Sequence, residues 1–469
     1  MYKIDSPHAT EFIDDAEIKA TLEYAEANKN NIELVDSLIT KASFCKGLSH
    51  REAAVLLLCH DPQVRERIHN LAREVKKRFY GNRIVLFAPL YLSNYCVNGC
   101  VYCPYHAKNT QLPRKKLTQD EVRSETIALQ DLGHKRLALE SGEHPVETPI
   151  EYILECIHTI YTTHHKHGSI RRVNVNIAAT TVENYKKLKD AGIGTYILFQ
   201  ETYHKENYER LHPTGPKSDY AWHTEAMDRA QTAGIDDVGC GVLFGLSPYA
   251  YDFVGMLMHA EHLEACFGVG PHTISVPRIR PADDIDPRAF PNAVADEDFL
   301  HIIACIRLAV PYTGMIISTR ESPAVRAEAL HLGISQISGG SRTSVGGYAE
   351  SDKDTAQFET NDTRSLDQVI AWLIEMGYIP SFCTACYRAG RTGDRFMSIC
   401  KSGQIHTCCT PNAIMTLKEY LVDYASPETR KKGEALIQQS LMLINNVKIR
   451  QLTEQHLTEI ETGERDFRF

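Results

Sequence analysis

The chain has 469 residues, of which 43% are hydrophobic and 24% are charged, and its formal net charge is −9 at pH 7. These proportions are those of a folded globular protein with a sizeable core, and the negative charge argues against a nucleic acid as partner, because phosphates are neutralised by clustered lysine and arginine. The sequence shows no signal-type N-terminus and no run of eighteen apolar residues, so we expect a cytoplasmic protein with no membrane partner.

The N-terminal region, from Asp14 to about Tyr80, is predicted to be helical. Apolar residues recur at helical spacing in IDDAEIKATLEYAEA, NNIELVDSLITKAS and SHREAAVLLLCH. In the third of these segments Ser49 and Glu52 have the spacing of a capping box, which marks a helix start. Residues 1–80 are therefore expected to form a helical extension.

From Arg83 onward, short apolar runs alternate with amphipathic helices. Eight runs are predicted as strands: RIVLFAPLYLS, HKRLALE, RRVNVNIAA, GTYILF, VGCGVLF, HTISVPRI, GMIIS and ISQISGG. Such alternation indicates a parallel sheet, and this number of units favours a (βα)8 TIM barrel over residues 81–346. An open doubly wound sheet is the alternative, although no GxGxxG follows a strand.

Two local signals mark helix ends inside this region. The glycines that suit the left-handed position after a helix are Gly133, Gly192, Gly234 and Gly333. Thr118 with Glu121, and Thr180 with Glu183, have capping-box spacing, so each threonine is predicted to begin a helix.

Beyond about Gly347 the alternation stops. The polar segment YAESDKDTAQFETNDTRS is expected to be a linker or a lid, and helices resume after it. Residues 347–469 are therefore expected to form an appended helical domain, which contains a second group of cysteines.

The first group, Cys96, Cys100 and Cys103, forms a CxxxCxxC array directly after the first predicted strand. Barrel enzymes place their chemistry at this end of the strands. Three thiolates can hold three irons of a cubane and leave the fourth iron open, whereas a structural zinc takes four ligands. His106 could complete a Cys3His zinc site, which is the alternative. Without a secretory signal, reduced thiolates are expected rather than disulfides.

This array, with the aromatic Tyr102 before its last cysteine and its place after the first barrel strand, resembles the radical S-adenosylmethionine (SAM) superfamily. The resemblance implies a [4Fe–4S] cluster on the three cysteines and chelation of SAM by its open iron. It also implies reductive cleavage of SAM to a 5′-deoxyadenosyl radical, with Tyr102 in contact with the adenine.

The same resemblance implies further SAM contacts at strand ends. The family's GGE at the end of the second strand corresponds here to Ser141, Gly142 and Glu143, so that Ser141 departs from the pattern. The fourth strand ends in Gln200 and Glu201, which correspond to the family's ribose contacts. An ordinary strand-end or helix-capping role is the alternative for each polar side chain.

The second group, Cys383, Cys386 and Cys409, has the spacing CxxCx22C. Three thiolates again leave one iron open, so a second iron–sulfur cluster is predicted. A structural zinc site that uses Cys400 or Cys408 is the alternative, although a zinc ribbon closes with a second CxxC.

Together the two arrays resemble, over essentially the whole chain, the tyrosine lyases that mature [FeFe]-hydrogenase. The resemblance implies cleavage of the Cα–Cβ bond of L-tyrosine to p-cresol and dehydroglycine. Dehydroglycine would then give CO and cyanide on the auxiliary cluster, as an Fe(CO)2(CN) unit for H-cluster assembly. The implied partners are L-tyrosine, SAM, free L-cysteine, an electron donor and other hydrogenase maturation proteins.

Two other functions remain open from the sequence. The 2-iminoacetate synthase of thiamine biosynthesis shares the barrel but lacks the second array. An iron–sulfur scaffold or electron carrier would be a non-enzymatic use of the same cysteines.

A tyrosine substrate needs a cation for its carboxylate. Arg320 follows the seventh strand at the active end of the barrel, and Ser318 and Thr319 can add hydrogen bonds. An ion pair between Arg320 and Glu321 at a helix start is the alternative.

His272 begins the sixth predicted strand, at the end of the barrel away from the first cysteines. Because the family keeps its two clusters at opposite barrel ends, His272 is predicted to ligate an extra iron on the auxiliary cluster. A satisfied core histidine is the alternative. His259, His262 and Cys266 have helical spacing, and we expect them along the outer face of the fifth barrel helix rather than at a metal.

Overall fold

The computed structural model of the chain describes residues 1–350, 355–401 and 405–469, with side chains except at 396, 397, 400, 401 and 405–407. Its strands, in chain order, are β1 (Arg83–Ser93), β2 (Arg136–Ser141), β3 (His164–His165), β4 (Gly168–Ser169), β5 (Arg172–Asn176), β6 (Tyr196–Ile197), β7 (Val238–Gly241), β8 (Thr273–Ser275), β9 (Gly314–Ile317), β10 (Gln336–Ser338) and β11 (Ile379–Ser381).

Eight of these strands form a closed parallel barrel, which confirms the predicted fold. Strands β1, β2 and β5 to β10 pair in chain order, and β10 returns to β1 through pairs such as Leu86 with Ile337. This closure excludes the open doubly wound alternative. Strand β11 adds a ninth parallel strand on the first residues of β1, while β3 and β4 form a separate antiparallel hairpin.

Helices surround the barrel and form both ends of the described chain. In chain order they are α1 (Ala9–Phe12), α2 (Asp15–Asn28), α3 (Ile32–Ser43), α4 (His50–Leu57), α5 (Pro62–Tyr80), α6 (Gln119–Asp131), α7 (Ile150–Thr162), α8 (Val182–Asp190), α9 (Lys205–Leu211), α10 (Tyr220–Thr224), α11 (Ala226–Thr232), α12 (Tyr249–Phe267), α13 (Asp296–Ala309), α14 (Pro323–Leu332), α15 (Leu366–Glu375), α16 (Ala385–Arg388), α17 (Gly393–Lys401), α18 (Ile405–Asp423), α19 (Pro427–Leu441) and α20 (Val447–Glu461). None of these described helices combines the length and hydropathy that a membrane crossing requires.

The N-terminal region is helical, as predicted, and packs on the outside of the barrel. Helices α2, α3 and α4 match the predicted segments, and the capping box of Ser49 and Glu52 is present. Helix α5 follows them and contacts the barrel helices α13 and α14. Asp61 begins it by accepting hydrogen bonds from the backbone N–H groups of Gln63 and Val64.

Most of the predicted helix ends inside the barrel are confirmed, and two are wrong. Gly133, Gly192 and Gly234 have positive φ angles, and Thr118 with Glu121 forms a capping box. Gly333 has an extended φ of −167°, and a Cβ there would lie 3.2 Å from Arg307 and Ile303, so close packing rather than a left-handed turn selects the glycine. Helix α8 is capped by Thr181, not Thr180, because the Thr181 side chain accepts from Asn184 N.

The C-terminal helices are joined to the base of the barrel. Strand β11 pairs with the start of β1, for example Ile379 with Arg83, and α18 packs on β11, α19 and α20. Glu419 of α18 is buried between Lys135 and Arg171, at 3.2 and 2.9 Å. The buried core runs without a break from the N-terminal helices to α20, and the domain limits at residues 80 and 346 stay predictions.

The polar segment predicted as a linker or lid lies, in its described part, over the opposite mouth of the barrel. Gln357 accepts a hydrogen bond from the Tyr91 hydroxyl at 2.9 Å, and the Phe358 ring lies under the Arg320 guanidinium. Ahead of them Glu125 accepts from the backbone N–H groups of Tyr348 and Ala349. Residues 351–354 of this segment lie outside the described residues.

Candidate active site

A cavity of about 240 Å³ opens at the C-terminal ends of the barrel strands. It brings together most of the residues predicted for SAM and substrate, and these are Cys96, Cys100, Tyr102, Cys103, Ser141, Gly142, Glu143, Glu201, Ser318, Thr319 and Arg320. Residues separated by more than two hundred positions in the chain therefore share one site.

The first cysteine group lies on a loop that follows β1 without a helix or strand of its own. The three thiols face the cavity and are reduced. Burial raises the pKa of Cys103 to about 12, and it also raises that of Cys100. Buried thiols of this kind ionise when a metal takes the charge, so the donor set fits an iron–sulfur cluster.

His106 is not placed to complete a Cys3His zinc site with the three cysteines of this loop. Its Nε2 lies 3.3 Å from Asp284, and the residue is not part of the cavity wall. In the part of the chain that is described, no three His, Cys, Asp or Glu side chains converge closely enough to share a single metal ion.

Asn98, within the cysteine loop, holds that loop to two other parts of the site. Its Nδ2 donates to Glu143 Oε2 at 2.6 Å, and its Oδ1 accepts from the Lys217 backbone N–H at 3.0 Å. Gly142 beside Glu143 approaches the loop closely, because a Cβ there would lie 2.3 Å from the Tyr95 carbonyl oxygen. Gly142 and Glu143, at the end of β2, thus hold the cysteine loop in place.

Glu201 lines the cavity together with Lys217, which the sequence motifs did not single out. The Lys217 ammonium lies 2.8 Å from Glu201 Oε1, and both side chains are largely buried. Burial alone would lower the pKa of Lys217, but Glu201 raises it above its usual value, so the lysine stays charged. Glu201 has a φ of +68°, a strained conformation of the kind found at functional sites.

Tyr102 lies within the cavity wall, beside the same lysine. Its hydroxyl is 2.8 Å from His212 Nε2, and the Lys217 ammonium is 5.7 Å from the ring centroid. The tyrosine is therefore fixed by a hydrogen bond at its far end, with its ring exposed to the cavity.

Arg320 does not form the ion pair that was its alternative role. Glu321 instead pairs with Arg278 and Arg280. The Arg320 guanidinium is 3.5 Å from the Phe358 ring centroid, and among the described residues no carboxylate lies within ion-pair distance of it. It is thus a buried cation available to an anionic ligand.

Several predicted residues lie away from this cavity. Gln200 is buried and its Nε2 donates to Thr224 Oγ1 at 2.9 Å, so it does not reach the cavity wall. His259 binds the Tyr203 hydroxyl, and His262 stacks on Phe12 of the N-terminal layer. Both α12 histidines are buried, and His262 also contacts Asp228 and the Ile4 carbonyl oxygen, at 2.7 and 2.6 Å.

The second cysteine group lies at the other end of the barrel. Cys383 follows β11 by two residues, Cys386 is in α16 and Cys409 is in α18. The thiols of Cys386 and Cys408 donate to the Cys409 sulfur and hold its pKa well below the usual value, with Arg83 at the start of β1 adding to this effect.

Cys383, Cys386, Cys408 and Cys409 thus lie together at this end of the barrel. Four thiols in one place fit a metal cluster better than an ordinary hydrophobic core. Cys408 is among them, so the choice between it and a neighbour as the third ligand stays a prediction. The Cys400 side chain lies outside the described residues. Arg83 and Arg136 provide positive charge beside the thiols, which suits an anionic thiolate cluster.

His272 lies at this same end. It precedes β8, and its Nδ1 is 3.3 Å from Asp237 Oδ1. Burial lowers its pKa to about 4, so the imidazole is neutral, the form that binds metals. Arg136 contributes to the pKa shifts of both His272 and Cys383, so the two residues share a neighbouring cation at this end of the barrel.

Comparisons with known proteins agree with this arrangement. Two family models match the chain: the Radical SAM superfamily over residues 90–253, and the Biotin and Thiamin Synthesis associated domain over residues 275–379. The 2-iminoacetate synthase of Salmonella typhimurium is 33% identical over 319 residues, which are 67% of this chain and 81% of that protein.

Two solved structures match nearly the whole length. A HydG described as a maturase of the [FeFe]-hydrogenase is 58% identical, with a TM-score of 0.95 over 98% of this chain and 100% of that one. The HydG of Carboxydothermus hydrogenoformans is 38% identical, with a TM-score of 0.82 over 96% and 99% of the two chains.

Proposed function

The chain belongs to the HydG family of the radical SAM superfamily, and from this premise we propose that it is a tyrosine lyase that serves [FeFe]-hydrogenase maturation. It would cleave L-tyrosine to p-cresol and dehydroglycine, and then form CO and cyanide for an Fe(CO)2(CN) unit of the H-cluster. One observation carries the proposal: the fold places two separate cysteine groups at opposite ends of one barrel.

The two sites would hold different groups. When bound, a [4Fe–4S] cluster with SAM would supply a 5′-deoxyadenosyl radical at the cavity, and an auxiliary cluster with an extra iron would supply a metal centre for CO and cyanide. Cys96, Cys100 and Cys103 are the residues for the first cluster. The second would use Cys383, Cys386 and Cys409.

Side chains around the cavity have roles that follow from their contacts. Glu143 fixes the cysteine loop through Asn98, and the Lys217–Glu201 pair offers both charges to the polar parts of SAM. Arg320 would bind the tyrosine carboxylate in a bidentate manner, with Ser318 and Thr319 beside it. The segment with Gln357 and Phe358 covers the mouth and would exclude water from a radical reaction.

At the base, His272 would ligate the extra iron. Asp237 Oδ1 lies 3.3 Å from its Nδ1, which would favour Nε2 as the ligating nitrogen. Free L-cysteine remains a proposed partner of this site, and the physiological electron donor and other maturation proteins remain proposed partners of the whole protein.

The test is to incubate the reconstituted, reduced protein with SAM and L-tyrosine and to measure 5′-deoxyadenosine and p-cresol. We expect both products in matched amounts. Absence of 5′-deoxyadenosine would favour an iron–sulfur carrier instead. Formation of p-cresol without CO would favour the 2-iminoacetate synthase reaction, which the similarity to that enzyme makes the second candidate.

A further inference from the structure

The cavity contains a second charged side chain beside Arg320. Glu140 is the residue before the end of β2, and its side chain lines the cavity. Its neighbour on β5, Asn176, donates from Nδ2 to Glu140 Oε2 at 2.7 Å. No other described residue donates a hydrogen bond to this carboxyl group, so one of its oxygens is left to the cavity.

Glu140 and Arg320 interact electrostatically, although their side chains are not in contact. Each is close enough to shift the pKa of the other, yet they are more than 4.0 Å apart, beyond the limit of an ion pair. Opposite charges in a largely buried site attract more strongly than they do in water. A gap between them, on the wall of one cavity, is therefore a place for a ligand that carries both charges.

An α-amino acid carries both charges on one carbon atom. We propose that Glu140 binds the α-ammonium group of the substrate, with Arg320 on its carboxylate, and that Glu140 accepts a proton from that ammonium. One N–H bond breaks, one O–H bond forms on the Glu140 carboxylate, and no electron is transferred. The amino group is left neutral, which is the form needed for hydrogen abstraction from nitrogen. This inference rests on the proposed function, which supplies tyrosine as the substrate.

The surroundings of Glu140 suit this proton transfer. Burial raises its pKa to about 8, much nearer to that of an α-ammonium group than an ordinary carboxyl group comes, so the Glu140 carboxylate can act as the base. The titratable groups that face it are Tyr91 of β1, Tyr105 of the cysteine loop and Arg320 after β9. Burial raises the pKa of both tyrosines well above the usual value, so they stay neutral and only Arg320 adds charge.

The test is a binding titration of the reconstituted but unreduced protein with SAM present, so that no turnover occurs. The two ligands are L-tyrosine and 3-(4-hydroxyphenyl)propanoate, which lacks the amino group. At pH 8, Glu140→Gln should weaken tyrosine binding by about tenfold to a hundredfold, the worth of a charged hydrogen bond, and leave the analogue unchanged. Wild-type affinity for tyrosine should rise by about tenfold from pH 6.5 to 8, as Glu140 ionises.

Glu147→Gln is the matched control, since Glu147 lies near Lys116 outside the cavity and is partly exposed. It should bind both ligands as the wild type does. Equal losses for both ligands in Glu140→Gln would overturn the assignment, because Glu140 would then contact another part of the substrate.

The wild-type protein alone gives a second test that does not depend on folding of the variant. The rise in affinity with pH should be present for tyrosine and absent for the analogue, and the same pH dependence for both would overturn the inference. Failure of the wild type to bind tyrosine would overturn the proposed function as well. Tyrosine binding without these differences would overturn this inference alone.

Discussion

Lys217 holds the Glu201 carboxylate at the edge of the cavity, where water reaches neither side chain freely. In Lys217→Met the apolar stem is largely kept, but Glu201 becomes an uncompensated charge. Breaking a buried ion pair costs about 3–5 kcal/mol, and partial exposure reduces this figure. We expect Lys217→Met to lower the free energy of unfolding in urea by about 2–3 kcal/mol and to weaken SAM binding at least tenfold.

The control for this prediction is a second lysine–glutamate pair on the neighbouring helix. Lys205 and Glu209 are 2.7 Å apart on α9, and both are half exposed. Lys205→Met should cost less than about 1 kcal/mol and leave SAM binding unchanged. If the two variants lost the same stability and affinity, the Lys217–Glu201 pair would have no special role.

Single residues were predictable from the sequence where a rare residue type recurs at fixed spacing. The cysteines of both groups satisfy this condition, and Arg320 follows a strand end. Lys217 and Asn98 lack any such spacing and meet Glu201 and Glu143 only in the folded barrel. Glu140 had one usable signal, an acidic residue near the end of the strand RLALES on the same face as Ala138.

Among the elements, helix α18 connects the second cysteine group to the barrel. It carries Cys409 near its start and Glu419 farther along, and Glu419 is buried against Lys135 and Arg171. Burial opposes ionisation, but these two cations lower the pKa of Glu419 below its usual value. Its contribution to stability is therefore present above about pH 4.5 and lost as the pH falls further.

We expect Glu419→Gln to destabilise the attachment of α18 by about 3 kcal/mol at pH 7, because buried Lys135 loses its carboxylate partner and Arg171 keeps only Asp466, at 3.3 Å. Bound iron should fall by about half, with loss of the second cluster and retention of the first. Iron and sulfide analysis, together with electron spin resonance in the presence of SAM, would measure both effects.

Glu428→Gln is the control for this variant, since Glu428 pairs with Lys432 on the surface of α19 with its side chain 77% exposed. It should keep its full iron content. A Glu419→Gln protein with two intact clusters would show that α18 does not depend on this ion pair.

The elements that the sequence predicts best are those whose apolar residues recur with a clear helical or strand period. All eight barrel strands and the N-terminal helices have such a period. Strand β11 has only three residues, including Pro380, and it exists because β1 offers an edge. The cap of α8 is Thr181 rather than the predicted Thr180, because only the folded side-chain geometry decides between two adjacent threonines.

At the scale of the molecule, the barrel separates the two cysteine groups. Strand β1 runs from Arg83, beside the second cysteine group, to Ser93, just before the first. Ten residue steps of strand span about 33 Å. The two cysteine motifs in the sequence indicated two sites. In the closed parallel barrel these sites lie at opposite ends of β1, and therefore at opposite ends of the barrel.

This separation makes the two halves of the proposed reaction separable by mutation. We expect Cys383→Ala to retain the cysteine loop, the cavity and Arg320, and therefore to cleave tyrosine. It should fail in the proposed later step, because the auxiliary cluster that would collect CO and cyanide would lack a ligand. Cys266→Ala is the control, since Cys266 is exposed on α12 and lies in neither site.

The decisive measurement is the amount of CO formed per p-cresol by the wild type, Cys266→Ala and Cys383→Ala proteins, each reduced and supplied with SAM and L-tyrosine. A hydrogenase-maturing lyase should give p-cresol in all three and CO only in the first two. Formation of p-cresol without CO by the wild type, or CO at the wild-type level from Cys383→Ala, would contradict that function.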